Sequence, residues 1–295
     1  MIDQAKRFPP VLFATCTIPW DSAYRLDEPL FRQEVRRRGA VTRHLYVFGT
    51  AGEGYAVSEG QYRAVGAAFL DEAHTVGVEP TLGVVSLSLE TIVERIEWAR
   101  SVGCRSFQLS FPCWGTLRES EIDAFFDATC GRFEDCSFHH YNQTRTKLLL
   151  GPEQCRRLSG RHPNLVGVKY STTDLEALRL CIDAAPELQF FPTEFGYSRL
   201  RDRRECGLLA SVAMFDFGLA RSYHAARGTE LARLGDRCAE VERLLVEAIS
   251  PYAHMDGAFE KAISKLHDPG FPLRLLPPYE GAPDAAFSAF AAAIR

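Results

Sequence analysis

The segment Asn164-Leu-Val-Gly-Val-Lys-Tyr170 is a short apolar run that ends in a lysine and a tyrosine. Its length and its lack of polar alternation predict a strand buried on both faces, as in a parallel sheet covered by helices. Helical patterns flank it at Pro152–Ser159 and Asp174–Ala184, and another apolar run follows at Leu188–Pro192. Strands that alternate with helices in this way predict βαβ units.

The same alternation extends over most of the chain. The predicted strands are Val11–Thr17, His44–Phe48, Glu79–Val85, Arg105–Phe111, Cys136–Tyr141, Asn164–Lys169, Leu188–Pro192 and Gly207–Ala213. The predicted helices between and after them are Asp27–Arg38, Ser58–His74, Ser88–Val102, Arg118–Arg132, Pro152–Ser159, Asp174–Ala184, Ser198–Arg204 and Leu219–Gly228. Eight strand–helix units over residues 1–228 predict an α/β fold, a (β/α)8 TIM barrel.

The remainder, residues 229–295, has three helical patterns at Glu230–Ile249, Met255–Leu266 and Pro283–Ile294. We expect a C-terminal helical extension that packs on the barrel as part of one structural unit. A doubly wound open sheet is the structural alternative. It predicts a glycine-rich phosphate loop after the first strand, and Ile18-Pro-Trp-Asp-Ser22 is not one.

Composition excludes several classes of protein. The 295 residues are 46% hydrophobic with a net charge of -4, which favours neither a nucleic-acid nor a membrane partner. The cluster Arg36-Arg37-Arg38 is expected at the solvated end of a helix. Nine cysteines without a CxxC pair predict reduced thiols and a cytoplasmic location. The stretch Met1–Arg7 has no apolar core of a secretory signal, and no apolar run is long enough to span a membrane.

Lys169 is the strongest candidate for chemistry. A buried ammonium group is costly, so a lysine that ends an apolar strand is either an anomaly or an amine with a depressed pKa. Such an amine attacks carbonyl carbons and forms Schiff bases. In a parallel barrel, the C-terminal ends of strands and the loops after them form the active site.

Three other features lie at predicted strand ends. The loop from Gly49 to Gly54 favours a small carboxylate over a nucleotide because it lacks the lysine of a P-loop, although a tight turn without a ligand is equally compatible. His139 and His140 must face opposite sides of a strand, so they are interpreted as structural and no metal site is predicted. Tyr141 either relays protons near Lys169 or only packs at the rim.

Three motifs together resemble the dihydrodipicolinate synthase / N-acetylneuraminate lyase family of Schiff-base-forming class I aldolases. Gly49-Thr-Ala-Gly-Glu53 is similar to the GTTGE or GSTGE loop of that family. Tyr141-Asn142 followed by Arg145 resembles its YN-x-P-x-R strand end, and Gly167-Val-Lys-Tyr170 resembles its G-x-K strand. The order and spacing of the motifs make the combination specific, and the similarity covers nearly the whole chain.

The resemblance implies a role for several residues. Lys169 would form the imine, Tyr141 would relay protons, and Thr50 would hydrogen-bond Tyr141. The backbone around Thr50 would hold the carboxylate of pyruvate, and Leu209, in the strand near the lysine, would line the pocket. The expected substrate-binding residues are Gly49, Ala51, Gly52, Arg145, Trp114 and Leu209. The family also implies a homotetramer or homodimer and no cofactor.

Departures from the family bear on the second substrate. Ala51 replaces a threonine of the loop, and Trp114 stands where the family has the second tyrosine of PYY, which relays protons. The stretch from Asn142 to Arg145 is one residue shorter than the motif and lacks its proline, and Tyr170 stands where an acidic residue is common. These changes argue against dihydrodipicolinate synthase activity, and the tryptophan resembles the hydratase-aldolase branch.

The sequence therefore predicts a pyruvate-dependent class I aldolase or lyase acting on a 2-keto acid and an aldehyde. The alternatives are a hydratase-aldolase acting on aromatic pyruvate adducts, and a 2-keto-3-deoxy sugar acid lyase or dehydratase. A further alternative is a non-catalytic member of the family with a binding or regulatory role.

Overall fold

The computed structural model describes residues 5–295, where it has eight strands and eleven α-helices. The strands are β1 Leu12–Thr15, β2 His44–Val47, β3 Glu79–Gly83, β4 Ser106–Leu109, β5 Ser137–Asn142, β6 Leu165–Tyr170, β7 Gln189–Pro192 and β8 Leu208–Ala210. The helices are α1 Glu28–Gly39, α2 Glu59–Val76, α3 Leu89–Ser101, α4 Glu119–Phe126, α5 Pro152–Arg161, α6 Leu175–Ala184, α7 Glu194–Leu200, α8 Phe217–Ala225, α9 Gly228–Ile249, α10 Asp256–His267 and α11 Asp284–Ala293. The first four residues of the N-terminal stretch considered above lie outside the described range.

The strands form one sheet in the order β7-β6-β5-β4-β3-β2-β1-β8. Neighbouring strands pair in parallel, for example Phe13 with His44 and Phe138 with Leu165. The amide of Gly207, just before β8, donates a hydrogen bond of 2.9 Å to the carbonyl of Phe190 in β7. Eight parallel strands that alternate with helices confirm the predicted (β/α)8 barrel, with further helices after it.

The chain divides into two compact units. Within the described range, the first unit comprises residues 5–12 and 81–209, and it holds β4 to β7 with α3 to α7. The second unit comprises residues 13–80 and 210–295, and it holds β2 with α1, α2 and α8 to α11. The division into a barrel of residues 1–228 and an extension of residues 229–295 stays a prediction.

Burial explains the apolar sequence of the strands. All six residues of β6 are buried, and five of six in β5 are buried. A strand covered on both faces has no solvent side, so the polar alternation of a half-exposed strand is absent. Lys169 is therefore an exception that its surroundings must accommodate.

Several helix ends follow the sequence signals. Ser58 caps α2 with the predicted capping box to Gln61, and Gly77 ends that helix with a left-handed φ of 70°. The prediction Ser198–Arg204 was wrong, because α7 begins at Glu194, directly after β7. The segment Arg118–Arg132 contains α4 and then a π-helical turn at Asp127–Gly131.

The interpretation of Arg38 as a solvated residue is also wrong. Its side chain is 1% exposed, and it donates hydrogen bonds to Glu34 at 2.5 Å and to Ser264 in α10 at 2.9 Å. Arg36, two residues earlier, is 57% exposed and fits the expectation. The α1 face that carries Arg38 is covered by α10, and three adjacent arginines give no sign of that packing.

All nine cysteines lie within the described residues, and none of them forms a disulfide bond. Among residues 5–295, every helix is too short or too polar to cross a membrane.

Candidate active site

Lys169 and Tyr141 meet in the first unit. They are paired in register on the neighbouring strands β6 and β5, and each is 4% exposed. The Lys169 Nζ lies 3.7 Å from the centroid of the Tyr141 ring. The electron-rich ring face attracts an ammonium group and compensates part of the cost of burying it. The strand pairing that the sequence predicts thus brings the amine and the phenol side chain together.

The G-x-K glycine has a packing reason of its own. A Cβ at Gly167 would lie 2.7 Å from His139 Nδ1 and 2.8 Å from the Gln189 carbonyl oxygen, closer than real Cβ contacts. The imidazole of His139 therefore lies against the backbone of β6, two residues before Lys169. This contact was not foreseen from the sequence, although a glycine inside a strand signals a close approach.

The two adjacent histidines face opposite sides, as predicted. The His139 ring contacts Phe8 with a centroid distance of 4.7 Å, and the His140 ring contacts Phe111 at 4.6 Å and Phe126 of α4 at 5.5 Å. Burial lowers the pKa of His140 to about 3, against a smaller opposing effect of Asn142. His140 is therefore neutral in the folded protein and belongs to the packing between strand and helix.

The segment after β5 is fixed by Asn142. Its amide nitrogen donates to the Leu150 carbonyl at 3.0 Å, and its amide oxygen accepts from the Leu150 N–H at 2.8 Å. This two-way bond closes the loop that carries Arg145, whose side chain is exposed. Lys147 in the same loop donates to the carbonyl of Trp114 at 2.9 Å.

Trp114 does not lie in a buried pocket of the single chain. Its side chain is 84% exposed in the loop after β4. The structure thus places the predicted substrate residues Trp114 and Arg145 on two linked, solvent-accessible loops. Leu209 is 4% exposed in β8. The roles of these three residues stay predictions.

The Gly49–Gly54 loop follows β2 in the second unit. Thr50 and Ala51 are buried at 5% and 8% exposure. The loop turns sharply: a Cβ at Gly52 would lie 2.7 Å from the Phe48 nitrogen, and one at Gly54 would overlap the Phe48 oxygen. Phe48 has a left-handed φ of 65°. Neither glycine can be replaced without moving the backbone, which fits the motif.

The peptide groups of this loop have a defined direction. The carbonyls of Gly49 and Thr50 accept hydrogen bonds from the N–H groups of Gly54 at 3.1 Å and Glu53 at 3.2 Å. A trans peptide is planar, with its C=O and N–H pointing in opposite directions. The N–H groups of Thr50 and Ala51 therefore point away from the side on which the Gly49 and Thr50 carbonyls accept their hydrogen bonds. Successive N–H groups that are left open in this way are the arrangement of an anion-binding turn.

Glu53 ends the loop and is fully buried. Its Oε1 accepts from Trp20 Nε1 at 2.9 Å and from Lys261 Nζ of α10 at 2.5 Å, and its Oε2 accepts from the Leu276 N–H at 2.6 Å. Burial lowers the pKa of Lys261, and the Glu53 carboxylate opposes that effect. Glu53 belongs to the Gly49–Glu53 motif, but no pattern in the sequence indicates its partner Lys261, which is 208 residues away.

Eight parallel strands that alternate with helices, with a buried lysine beside a tyrosine at the ends of two neighbouring strands, define a class of protein: (β/α)8 barrels with a strand-end lysine. Comparison with family profiles agrees with that class. Residues 10–192 match the Dihydrodipicolinate synthetase family. The chain belongs to this family.

The individual relatives share 29% of their residues or fewer with this chain. The 4-hydroxy-tetrahydrodipicolinate synthase of Thermus thermophilus is 29% identical over 171 residues, and the match covers 57% of this chain and 56% of the relative. YagE of Escherichia coli K12, solved in complex with pyruvate, superposes with a TM-score of 0.82 at 14% identity, covering 97% of each chain. N-acetylneuraminate lyase of Proteus mirabilis gives a TM-score of 0.79 at 16% identity, again covering 97% of each chain. These superpositions establish the shared fold.

Proposed function

We propose that this protein is a class I aldolase or lyase that binds pyruvate, or a larger 2-keto acid, as a Schiff base on Lys169. The observation that carries the proposal is the buried Lys169 amine against the Tyr141 ring at the C-terminal end of a barrel strand. Family membership supports it, because relatives bear the names of a synthase and of lyases.

The chemistry follows from the amine. The Lys169 nitrogen attacks the keto carbon, the keto oxygen gains protons, and it leaves as water to form an iminium ion. The iminium accepts the electron pair released when a C3 proton or a C3–C4 bond is lost, which gives an enamine. Tyr141 is the proposed carrier of protons in these steps, and Thr50 is a further proposed catalytic residue. The Thr50 and Ala51 N–H groups, together with Gly49 and Gly52, are proposed to hold the keto acid carboxylate.

The test is reductive trapping of the imine. Wild-type protein incubated with pyruvate and borohydride should gain one covalent adduct that maps to the peptide containing Lys169. Lys169→Met should gain none, and Lys147→Ala, at an exposed lysine, should label like wild type. Folded wild-type protein that gains no adduct on Lys169 would overturn the proposal.

A hydratase-aldolase acting on aromatic pyruvate adducts, or a 2-keto-3-deoxy sugar acid lyase or dehydratase, is the second candidate. Ala51 and the exposed Trp114 favour these over dihydrodipicolinate synthase, because a hydroxyl and a phenol of that enzyme's motifs are missing. Turnover of pyruvate with aromatic aldehydes should exceed turnover with aspartate semialdehyde. Activity confined to aspartate semialdehyde would remove this candidate, and turnover of any such pair would eliminate a non-catalytic role.

The assembly is also a proposal. By resemblance to the family we propose a homotetramer or homodimer, which light scattering of the purified protein measures directly. A monomeric mass at micromolar concentration would contradict it.

A further inference from the structure

The Glu53 carboxylate links the glycine-rich loop to the C-terminal segment of the chain. Both Glu53 and its partner Lys261 have side chains that are 0% exposed. The Lys261 ammonium also donates to the Arg274 carbonyl at 2.5 Å, and the Arg274 side chain donates to the Trp20 carbonyl at 3.0 Å. Three segments of the second unit, at Trp20, Lys261 and 274–276, thus converge on the buried Glu53 carboxylate.

The backbone at Glu53 is held in a conformation that it would not adopt by itself. Its φ is 54°, the left-handed region that side chains other than glycine avoid. Such a residue persists only when its surroundings determine it, and the three donors to the carboxylate supply that determination. Loss of one donor to Glu53 should therefore disorder the Gly49–Gly54 loop before it unfolds the protein.

A second contact holds the same loop. The first turn of α10 lies so close to Ala51 that a Cβ at Gly257 would be 3.2 Å from the Ala51 oxygen and 3.4 Å from Glu53 Cγ. The α10 helix thus contacts the loop at its middle and, through Lys261, at its end. We call the three donors to Glu53, from Trp20, Lys261 and Leu276, the Glu53 clamp.

The Glu53 clamp sets the direction of the loop amides. The Glu53 N–H is the donor to the Thr50 carbonyl at 3.2 Å, so the position of Glu53 determines the orientation of the Thr50–Ala51 peptide. Because that peptide is planar, the Ala51 N–H turns with it. A shift of Glu53 would therefore change the direction of the Ala51 N–H, which is proposed to bind the substrate carboxylate.

We propose that Glu53, Lys261 and Trp20 are positioning residues that hold the Gly49–Gly54 loop in its carboxylate-binding conformation. The inference rests on the proposed function and deepens it: helix α10, through its contacts with the loop, determines the affinity for the 2-keto acid. These residues hold the loop in its binding conformation before the substrate arrives, which lowers the free energy needed to order the loop when the substrate binds.

The experiment measures pyruvate affinity and loop order separately. Borohydride trapping over a range of pyruvate concentrations gives the half-saturating concentration and the trapping rate at saturation for wild type, Lys261→Met and Trp20→Phe. We expect the half-saturating concentration to rise about tenfold in Lys261→Met and a few-fold in Trp20→Phe, with the saturating rate within about twofold of wild type. Hydrogen exchange of the 49–54 amides should accelerate in the same order.

The matched control is Glu72→Gln. Glu72 is another buried carboxylate of the second unit, and it pairs with Arg36 and Arg32, so its loss destabilises the protein without touching the loop. It should leave pyruvate half-saturation and exchange of residues 49–54 unchanged. Equal shifts in the control would assign the effect to general destabilisation and overturn the inference.

The outcomes separate the two proposals. No adduct in folded wild type would overturn both. An adduct in wild type, with unchanged half-saturation and unchanged exchange in Trp20→Phe, would overturn the positioning role and leave the proposed function standing. Trp20→Phe decides the matter even if Lys261→Met does not fold, because it removes one hydrogen bond and keeps the ion pair.

Discussion

At the scale of single residues, Lys169 shows how a charge is accommodated on a buried strand. Its sequence position predicts burial, and the structure adds the partner: the Tyr141 ring, 3.7 Å from the Nζ. The ring and the hydroxyl of Tyr141 can be separated experimentally. The ring packs against the amine, whereas the hydroxyl is the group that we propose carries protons.

Tyr141→Phe should therefore keep the fold and lose rate. The phenyl ring still offers its face to the amine, so the unfolding midpoint should stay close to wild type. Loss of proton transfer should slow adduct formation with pyruvate by about 10²- to 10⁴-fold. Stopped-flow mixing with pyruvate followed by borohydride quenching measures this rate.

Tyr141→Leu is the matched comparison, since it removes both the ring and the hydroxyl. It should lose stability as well as rate. Wild-type kinetics in Tyr141→Phe would show that Tyr141 only packs at the rim, the alternative that the sequence left open.

His140 makes a prediction about pH. Its folded-state pKa of about 3 lies below the ordinary value of 6.5, because burial penalises the imidazolium. Below pH 6.5 the unfolded chain therefore binds a proton that the folded chain does not, and stability falls as the pH falls. The loss approaches about 1.4 kcal/mol per pH unit for one proton between these two values.

Urea titrations at pH 7, 6, 5 and 4 on wild type and His140→Leu measure this effect. The variant should lose less stability between pH 7 and 4 than wild type, by roughly 3 kcal/mol at pH 4. His74→Gln, at an exposed position, should retain the wild-type dependence. Parallel curves for wild type and His140→Leu would contradict the burial of a neutral imidazole.

At the scale of secondary-structure elements, the packing of α1 against α10 is the feature that the sequence conceals. Arg38 and Glu34 form a buried ion pair within α1, and Ser264 of α10 donates to Glu34 at 2.8 Å and accepts from Arg38 at 2.9 Å. Thr17, after β1, lies 2.6 Å from the same serine hydroxyl. The interface is polar, so a search for apolar helix faces does not find it.

Arg38→Met should destabilise the protein by about 3 kcal/mol, because the buried Glu34 carboxylate keeps only the more distant Arg37, at 3.3 Å, as a cation. Glu34→Gln/Arg38→Met should recover part of that loss, since the Glu34 charge is gone while Glu260, 4.0 Å from Arg38, still loses its cation. Urea midpoints at constant slope give both free energies.

Arg233→Met in α9 is the control for arginine removal in general. Arg233 pairs with Glu230 on the surface, so its loss should cost less than about 1 kcal/mol. Similar costs for Arg38→Met and Arg233→Met would show that Arg38 is solvated after all, as the charge cluster suggested.

At the scale of the whole molecule, the pattern of the chain predicted more of the fold than of the site. Strand and helix order came from periodicity, which local burial imposes residue by residue. Some strands were predicted too long, as with Gly207–Ala213 against the observed Leu208–Ala210, because apolar residues continue past the hydrogen-bonded ladder. The strands β5 and β6 instead end one residue later than predicted, at Asn142 and Tyr170. The α7 helix was predicted too far along the chain, at Ser198–Arg204, because the arginine-rich stretch indicated a helix more strongly than the residues that begin it.

The contacts of the candidate site were predictable only where a chemically reactive residue lies within a recognisable motif of a single strand. Lys169 and Tyr141 fit that condition, since parallel register on adjacent strands brings them together. Glu53 and Lys261 do not, because a contact between residues 208 positions apart depends on how α10 packs. A single sequence specifies such contacts only through the complete fold.

The last prediction concerns the dependence of the barrel on the C-terminal helices. A chain of residues 1–227 lacks Lys261, Leu276 and Ser264, so Glu53 and Glu34 each lose buried partners. The truncation also removes the apolar residues that α9 and α10 bury, among them Leu234, Leu245 and Ile263. Each lost large apolar side chain costs about 2–5 kcal/mol, and a domain has only about 5–15 kcal/mol of stability. The truncated chain should therefore show no cooperative unfolding transition in urea, followed by circular dichroism.

A chain of residues 1–283 is the matched truncation, because it loses α11 but keeps every partner of Glu53 and Glu34 named above. It should unfold cooperatively at a lower urea midpoint, since the buried Phe290 of α11 no longer packs. A cooperative transition in the 1–227 chain, near the full-length midpoint, would show that the barrel is complete without its extension. The barrel would then fold without the Glu53 clamp, and the clamp would affect only the conformation of the Gly49–Gly54 loop.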